Sequence, residues 1–180
     1  DLVDQFNHRT HTVDKFAEGC TRFMQGFIKK VFIADSIAPI ADHCFALSDP
    51  TTGDAWLGAL AYTAQLYFDF SGYSDMALGL AKMFGIRFPL NFFSPYKASG
   101  IIEFWSRWHM TLTRYLTAYL YYPVAMAVSR YRSKHNLPVG TQGVSTLGGF
   151  AAAVILPTTF TMALAGIWHG AGLQYLIFGL

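Results

Sequence analysis

Apolar positions recur at helical spacing along much of this chain, and clusters of polar residues, Pro and Gly cut the pattern into segments. Over 13–40, Phe16, Cys20, Phe23, Phe27 and Val31 fall near one stripe, with Lys29 and Lys30 in the middle. That pattern predicts an amphipathic helix lying at an interface or partly buried in a bundle. Residues 43–54 carry Ser48, Asp49, Pro50, Thr51, Thr52 and Gly53, the chemistry of a loop. Residues 55–68 are apolar and aromatic, a candidate membrane span that runs directly into Asp69. Over 85–100, Gly85, Pro89, Asn91 and Pro95 sit among aromatic residues and predict a re-entrant or interfacial loop instead of a regular helix.

A new helix is predicted from Gly100, an acceptable N-cap, with Glu103 three residues on as half of a capping box. Continued without a break, it places Trp105, Trp108, His109, Leu112, Leu116 and Tyr119 on one stripe. Tyr115, Tyr119, Tyr121 and Tyr122 form an aromatic belt near its end, and Pro123 marks a kink or a break. Arg130, Arg132 and Lys134 then make 129–135 a short basic loop, which the positive-inside tendency puts on the cytoplasmic side. The uncharged stretch 148–168 meets the roughly 20 mostly apolar residues that a helix needs to cross a bilayer, and it ends on Trp168 and His169. At 1.5 Å per residue, His169 lies about 30 Å along that helix.

Composition moves the class from helical to membrane-embedded. The 180 residues are 53% hydrophobic and only 13% charged, about half the charged share of soluble domains, and no Asp, Glu, Lys or Arg follows Lys134. The expected fold is an all-α, polytopic transmembrane bundle with interfacial and re-entrant helices. A net charge of +2 without a long basic tract gives no reason to expect nucleic acid. Two cysteines, Cys20 and Cys44, with no CxxC pair, support neither a zinc site nor a disulfide framework and read as reduced structural thiols. The chain begins at Asp1 without an initiator Met and ends at Leu180 inside an apolar stretch, so it is expected to be an internal fragment, with 1–180 one partial membrane domain.

The candidate chemistry is sparse. His109 and His169 are imidazoles in apolar, aromatic settings, where ionisable groups are costly and are by default functional hypotheses. A neutral imidazole takes a proton from a hydroxyl nucleophile, an effect of about 10²- to 10⁴-fold in rate. The competing roles are a hydrogen-bonded packing histidine for His109 and a helix-end histidine at the membrane surface for His169. Asp69 and Asp75 flank Ser71, Gly72 and Ser74 in YFDFSGYSDMA, 67–77; they orient a histidine, hold a cation or cap a broken helix. Their six-residue spacing does not fix both on one helical face, so neither a carboxylate pair nor a metal site is expected. His8 and His11 lack a third ligand and read as a solvated face.

Four stretches carry a resemblance: GFIKKVFIAD (26–35), YFDFSGYSDMA (67–77), EFWSRWH (103–109) and AGIWHG (165–170). In this order they resemble the membrane-bound O-acyltransferase family, in the bacterial branch that includes the alginate O-acetyltransferases and the teichoic acid D-alanyl transfer proteins. The resemblance implies a multi-pass enzyme of the bacterial inner membrane. It would move an acyl group, acetyl in the alginate branch, from a cytoplasmic thioester such as acetyl-CoA towards hydroxyls of an exported or cell-surface polysaccharide. No bound cofactor is implied; the expected partners are membrane lipid, the thioester donor, the polysaccharide and a separate periplasmic acetyltransferase. His169 matches the family's near-invariant histidine and His109 its second one, so both are implied to be catalytic. Asp69, Ser71, Asp75, Arg107, Trp108 and Trp168 are implied to line the substrate channel. Three departures leave the acceptor open: 117–121 reads TAYLY where the alginate branch has charged residues, Ser106 replaces a common Arg, and Gly100 a common Ser. The alternatives from another class are a transporter or channel, which would show interrupted helices in two repeats, and a non-catalytic membrane subunit of a polysaccharide export system.

Overall fold

A computed structural model describes residues 2–170 and 172–179. They form helices and connecting loops, with no strand among the described residues. The chain divides into two compact units, one ending at His109 and one beginning at Met110.

In the first unit, α1 (Leu2–His8) precedes a continuous helix α2 over 13–46, composed of Val13–Phe27, a π-helical stretch Ile28–Ala34 and Asp35–Ala46. The Thr12 hydroxyl accepts the Lys15 N–H and starts α2, satisfying one of the donors a helix leaves open at its first turn. The second long helix, α3 (Thr52–Met83), opens with a reciprocal capping box between Thr51 and Asp54, which confines the expected 43–54 loop to a short link. A 3₁₀ turn (Pro95–Lys97) sits in the otherwise irregular 84–100 segment, and α4 (Ile101–Arg107) closes the unit. As predicted, 85–100 is not a regular helix.

Gly19, Gly26, Gly72 and Gly79 determine how α2 and α3 meet. A Cβ added to Gly72 would lie 2.7 Å from the Gly26 carbonyl oxygen, and one added to Gly79 would lie 2.6 Å from that of Gly19. The helices therefore run antiparallel with backbone against backbone at two points, each pair of glycines seven residues apart. Small residues allow this approach, as they do where helices pack without a hydrophobic drive between them.

In the second unit, α5 over 110–134 contains Met110–Leu116, a π-helical Thr117–Tyr121 and Tyr122–Lys134. It is followed by α6 (Gly140–Val144), α7 (Leu147–His169) and α8 (Leu173–Gly179). α5 packs along α7, and α7 against α8. Pro123 neither breaks nor ends α5. Its ring would crowd the carbonyl four residues back, and the π-helical turn at 117–121 widens the backbone there. The same device precedes Pro157, where Ala151–Ile155 is π-helical, and Pro39 follows the π-helical stretch of α2 by one turn.

Among the described residues, α7 alone is long and apolar enough to cross a membrane, and most of its surface is exposed. The expected span at 55–68 is part of α3, which has the length but carries Asp54, Asp69, Asp75 and Lys82.

Candidate functional site

Two further expectations are corrected where the site is built. The run 67–77 is not a broken or irregular helix: it lies wholly inside α3. Its Gly, Ser and Asp residues serve the helix contact instead, small residues permitting close approach and the carboxylates meeting cations on α2. The single stripe from Trp105 to Tyr119 also fails, because the helix stops at Arg107 and restarts at Met110. Trp108 is extended, with φ −97° and ψ 129°, and His109 has φ +42°. A non-glycine residue in that left-handed region is strained by about 1–3 kcal/mol and persists only where its surroundings hold it, commonly at functional sites.

Aromatic rings supply those surroundings. Phe70 meets the His109 imidazole edge-on with centroids 4.7 Å apart, and Phe92 lies parallel to it at 6.3 Å. Phe92 also contacts Trp108 edge-on at 5.0 Å, and Trp108 stacks on Phe104 at 5.6 Å. The irregular 84–100 segment thus delivers Phe92 between the two residues of the helix break. Phe93 N–H donates to the Arg107 carbonyl at 2.9 Å and ties that segment to the end of α4.

α4 is locked at its start by Glu103. The predicted capping box is displaced by one residue: Glu103 Oε2 accepts from Ser99 N–H and from the Ser99 hydroxyl, both at 2.7 Å, and not from Gly100. Arg107 bonds the other Glu103 oxygen and lies over the Phe93 ring at 5.5 Å. The Ser99 bonds and then Arg107 hold the Glu103 carboxyl down at about 2. Arg107 thus braces the helix that presents Trp108 and His109.

The two carboxylates of 67–77 meet different cations. Asp69 pairs with Lys30, which also reaches Asp35, on a half-exposed face of the helix pair. Asp75 is 9% exposed. Its Oδ1 accepts from Arg22 Nε at 3.0 Å and Nη2 at 2.7 Å, and its Oδ2 accepts from Lys29 Nζ at 2.7 Å. Arg22, Lys29, Ser71, Ser74, Asp75, Tyr67 and Phe92 line a cavity of about 190 Å³. The Ser74 hydroxyl receives Asn91 Nδ2 at 3.2 Å, while the Ser71 hydroxyl, on a residue only 2% exposed, has no hydrogen-bond partner. Phe92 both lines this cavity and stacks on His109, so one ring separates the two.

Sequence reasoning missed Arg22 and Lys29. The signal was present: Gly19, Arg22, Gly26 and Lys29 follow i, i+3, i+7, i+10 spacing, and Gly72, Asp75 and Gly79 follow i, i+3, i+7 on the other helix.

Trp168 and His169 belong to the second unit, on the last turn of α7. Both are exposed, and their rings meet edge-on at 5.0 Å. His8 and His11 are exposed as expected.

The pattern that defines the membrane-bound O-acyltransferase family matches residues 2–147. The probable alginate O-acetylase AlgI of Azotobacter vinelandii is 62% identical over 99% of this chain, which covers 32% of that protein. The peptidoglycan O-acetyltransferase of Helicobacter pylori is 38% identical over the whole chain, covering 31% of its length. The teichoic acid D-alanyltransferase of Bacillus subtilis is 30% identical over 93% of the chain, covering 39% of its length. The chain thus spans about a third of the length of the curated relatives it matches.

Proposed function

The chain belongs to the membrane-bound O-acyltransferase family, and from that premise we propose that the full-length protein is a multi-pass enzyme of the bacterial inner membrane that O-acylates an exported polysaccharide. The acyl group is acetyl, drawn from a cytoplasmic thioester such as acetyl-CoA, and a separate periplasmic acetyltransferase completes delivery. Relatives named for alginate and for peptidoglycan both act on glycans, which supports a polysaccharide acceptor. The similarity to alginate O-acetylases persists despite the departures at Gly100, Ser106 and 117–121, which favours a uronic acid polymer.

The reaction asks little of the protein. A neutral imidazole accepts the proton of an acceptor hydroxyl as its oxygen attacks the thioester carbonyl; the C–O bond forms, the C–S bond breaks, and the leaving thiolate takes up a proton. His169 is assigned the base, and His109 is assigned a second role in the acyl transfer. The observation that carries this is His109 itself: a strained backbone is held in place by Phe70, Phe92 and a braced α4, an expensive way to place a histidine that only packs. Trp168, exposed beside His169, presents flat apolar surface for the acyl group.

The test is His169→Ala in the full-length protein, with membrane abundance verified and O-acyl groups on exported polysaccharide quantified. Acylation falls to background on this account. Unchanged acylation removes His169 from the chemistry, and substrate flux without acyl transfer establishes a transporter instead.

A further inference from the structure

The acyl-transfer chemistry does not account for the part-exposed cations Arg22 and Lys29 that meet the buried Asp75 between α2 and α3. Arg22 and Lys29 share a single carboxylate, Asp75, so two cations and one anion leave one net positive charge at the cavity wall. The flanking charges are occupied elsewhere, Lys82 with Glu18 and Lys30 with Asp69 and Asp35. Asp75 takes only part of what these cations offer: two of the five Arg22 N–H groups are spent on it, and one of the three Lys29 N–H groups. The Ser71 hydroxyl lines the same cavity, nearly fully buried and without a partner, which is rare because an unmade buried hydrogen bond is costly.

We infer that this cavity is an oxyanion subsite: it takes a phosphate or carboxylate group carried by a substrate. Lys29 and Arg22 supply the charge, the Ser71 hydroxyl donates a hydrogen bond, and Tyr67 and Phe92 wall the apolar side. The volume of about 190 Å³ exceeds by several times the roughly 30 Å³ share of one water, so a tetrahedral phosphate or a planar carboxylate fits without displacing a helix. Asp75 is the placeholder that keeps the cations from repelling one another when the site is empty. Because Phe92 also stacks on His109, an anion bound here presses on the ring that holds that imidazole. Two substrate classes carry such a group, a thioester donor with phosphates and a glycan of uronic acids, and the site recognises the oxyanion they share.

The experiment is calorimetric titration of the full-length, detergent-solubilised protein with inorganic phosphate in one arm and galacturonate in the other. It reads binding without turnover and so stands or falls independently of His169. At least one anion binds saturably in the millimolar range. Ser71→Ala weakens it by roughly tenfold or more, the effect of one hydrogen bond to a charged group. Lys29→Met removes the net positive charge and abolishes binding. Asp75→Asn raises the net charge and tightens binding, the opposite of what loss of a purely structural ion pair gives. Phosphate preference assigns the site to the donor and galacturonate preference to the acceptor. No saturable binding of either anion up to tens of millimolar, or binding unaffected by Ser71→Ala and Lys29→Met, overturns the proposal.

Discussion

His109 and His169 stand in opposite kinds of structure. His109 lies at a break between helices, with left-handed backbone, and rings from two separate segments, Phe70 and Phe92, close around it. His169 rides the last turn of an unbroken helix without a formal charge, exposed beside Trp168. The first position is made by packing inside a unit whose helices touch backbone to backbone; the second is made by a helix whose apolar surface faces outward. Positioning a histidine by strain requires a rigid frame. Positioning one by depth requires only a helix of the right length and a membrane around it.

The comparison is tested first through activity. His169→Ala removes the assigned base and should lower acyl transfer by about 10²- to 10⁴-fold, whereas His109→Ala should reduce it less, both read as O-acyl groups per unit of membrane protein. Equal losses would erase the distinction between the two histidines.

Next comes packing. Gly26→Ala puts a methyl carbon 2.6 Å from the Met76 nitrogen, so α2 and α3 must separate, at about 1–3 kcal/mol. Gly148→Ala, in the first turns of α7 with nothing within 4 Å, should be neutral or stabilising by up to about 1 kcal/mol. Thermal melting of the purified full-length protein distinguishes them, and a Gly26→Ala protein as stable as Gly148→Ala contradicts the backbone contact. A smaller effect separates two replacements at one site. His109→Gly should be about 1–2 kcal/mol more stable than His109→Ala, because only glycine enters the left-handed region freely.

The smallest expected effect is electrostatic. Glu103, normally near 4.5, is held at about 2 by Ser99 and Arg107. A depressed carboxyl contributes stability above its unfolded value, lost as pH falls through the folded one. The start of α4 should therefore loosen between about pH 4.5 and 2. Hydrogen-exchange protection factors at 100–104, taken against the intrinsic rates at each pH, read this loosening, and in Glu103→Gln it should vanish.

Much of this was legible in the chain. The helical class, the irregular 84–100 segment, the uncharged α7 and the two motif histidines follow from periodicity, Pro and Gly placement and the order of four motifs. The break at Trp108 and His109 was hidden, because the spacing around it remains helical and rings donated by Phe70 and Phe92, distant in sequence, stabilise the interruption. The regularity of 67–77 was hidden for the converse reason: Ser, Gly and Asp usually mark caps, and only the matching glycine and cation stripe on α2 makes them helix-contact residues. A fixed spacing reports which residues share a face. It does not report which partner that face will meet.

The most direct measurement of the central claim is acyl transfer by the purified full-length protein in proteoliposomes, followed with a labelled acetyl thioester and a uronic acid glycan acceptor plus its periplasmic partner. The account predicts label in ester linkage on the glycan with the native protein and background label with His169→Ala at equal abundance. Transfer that survives the loss of His169 would contradict it.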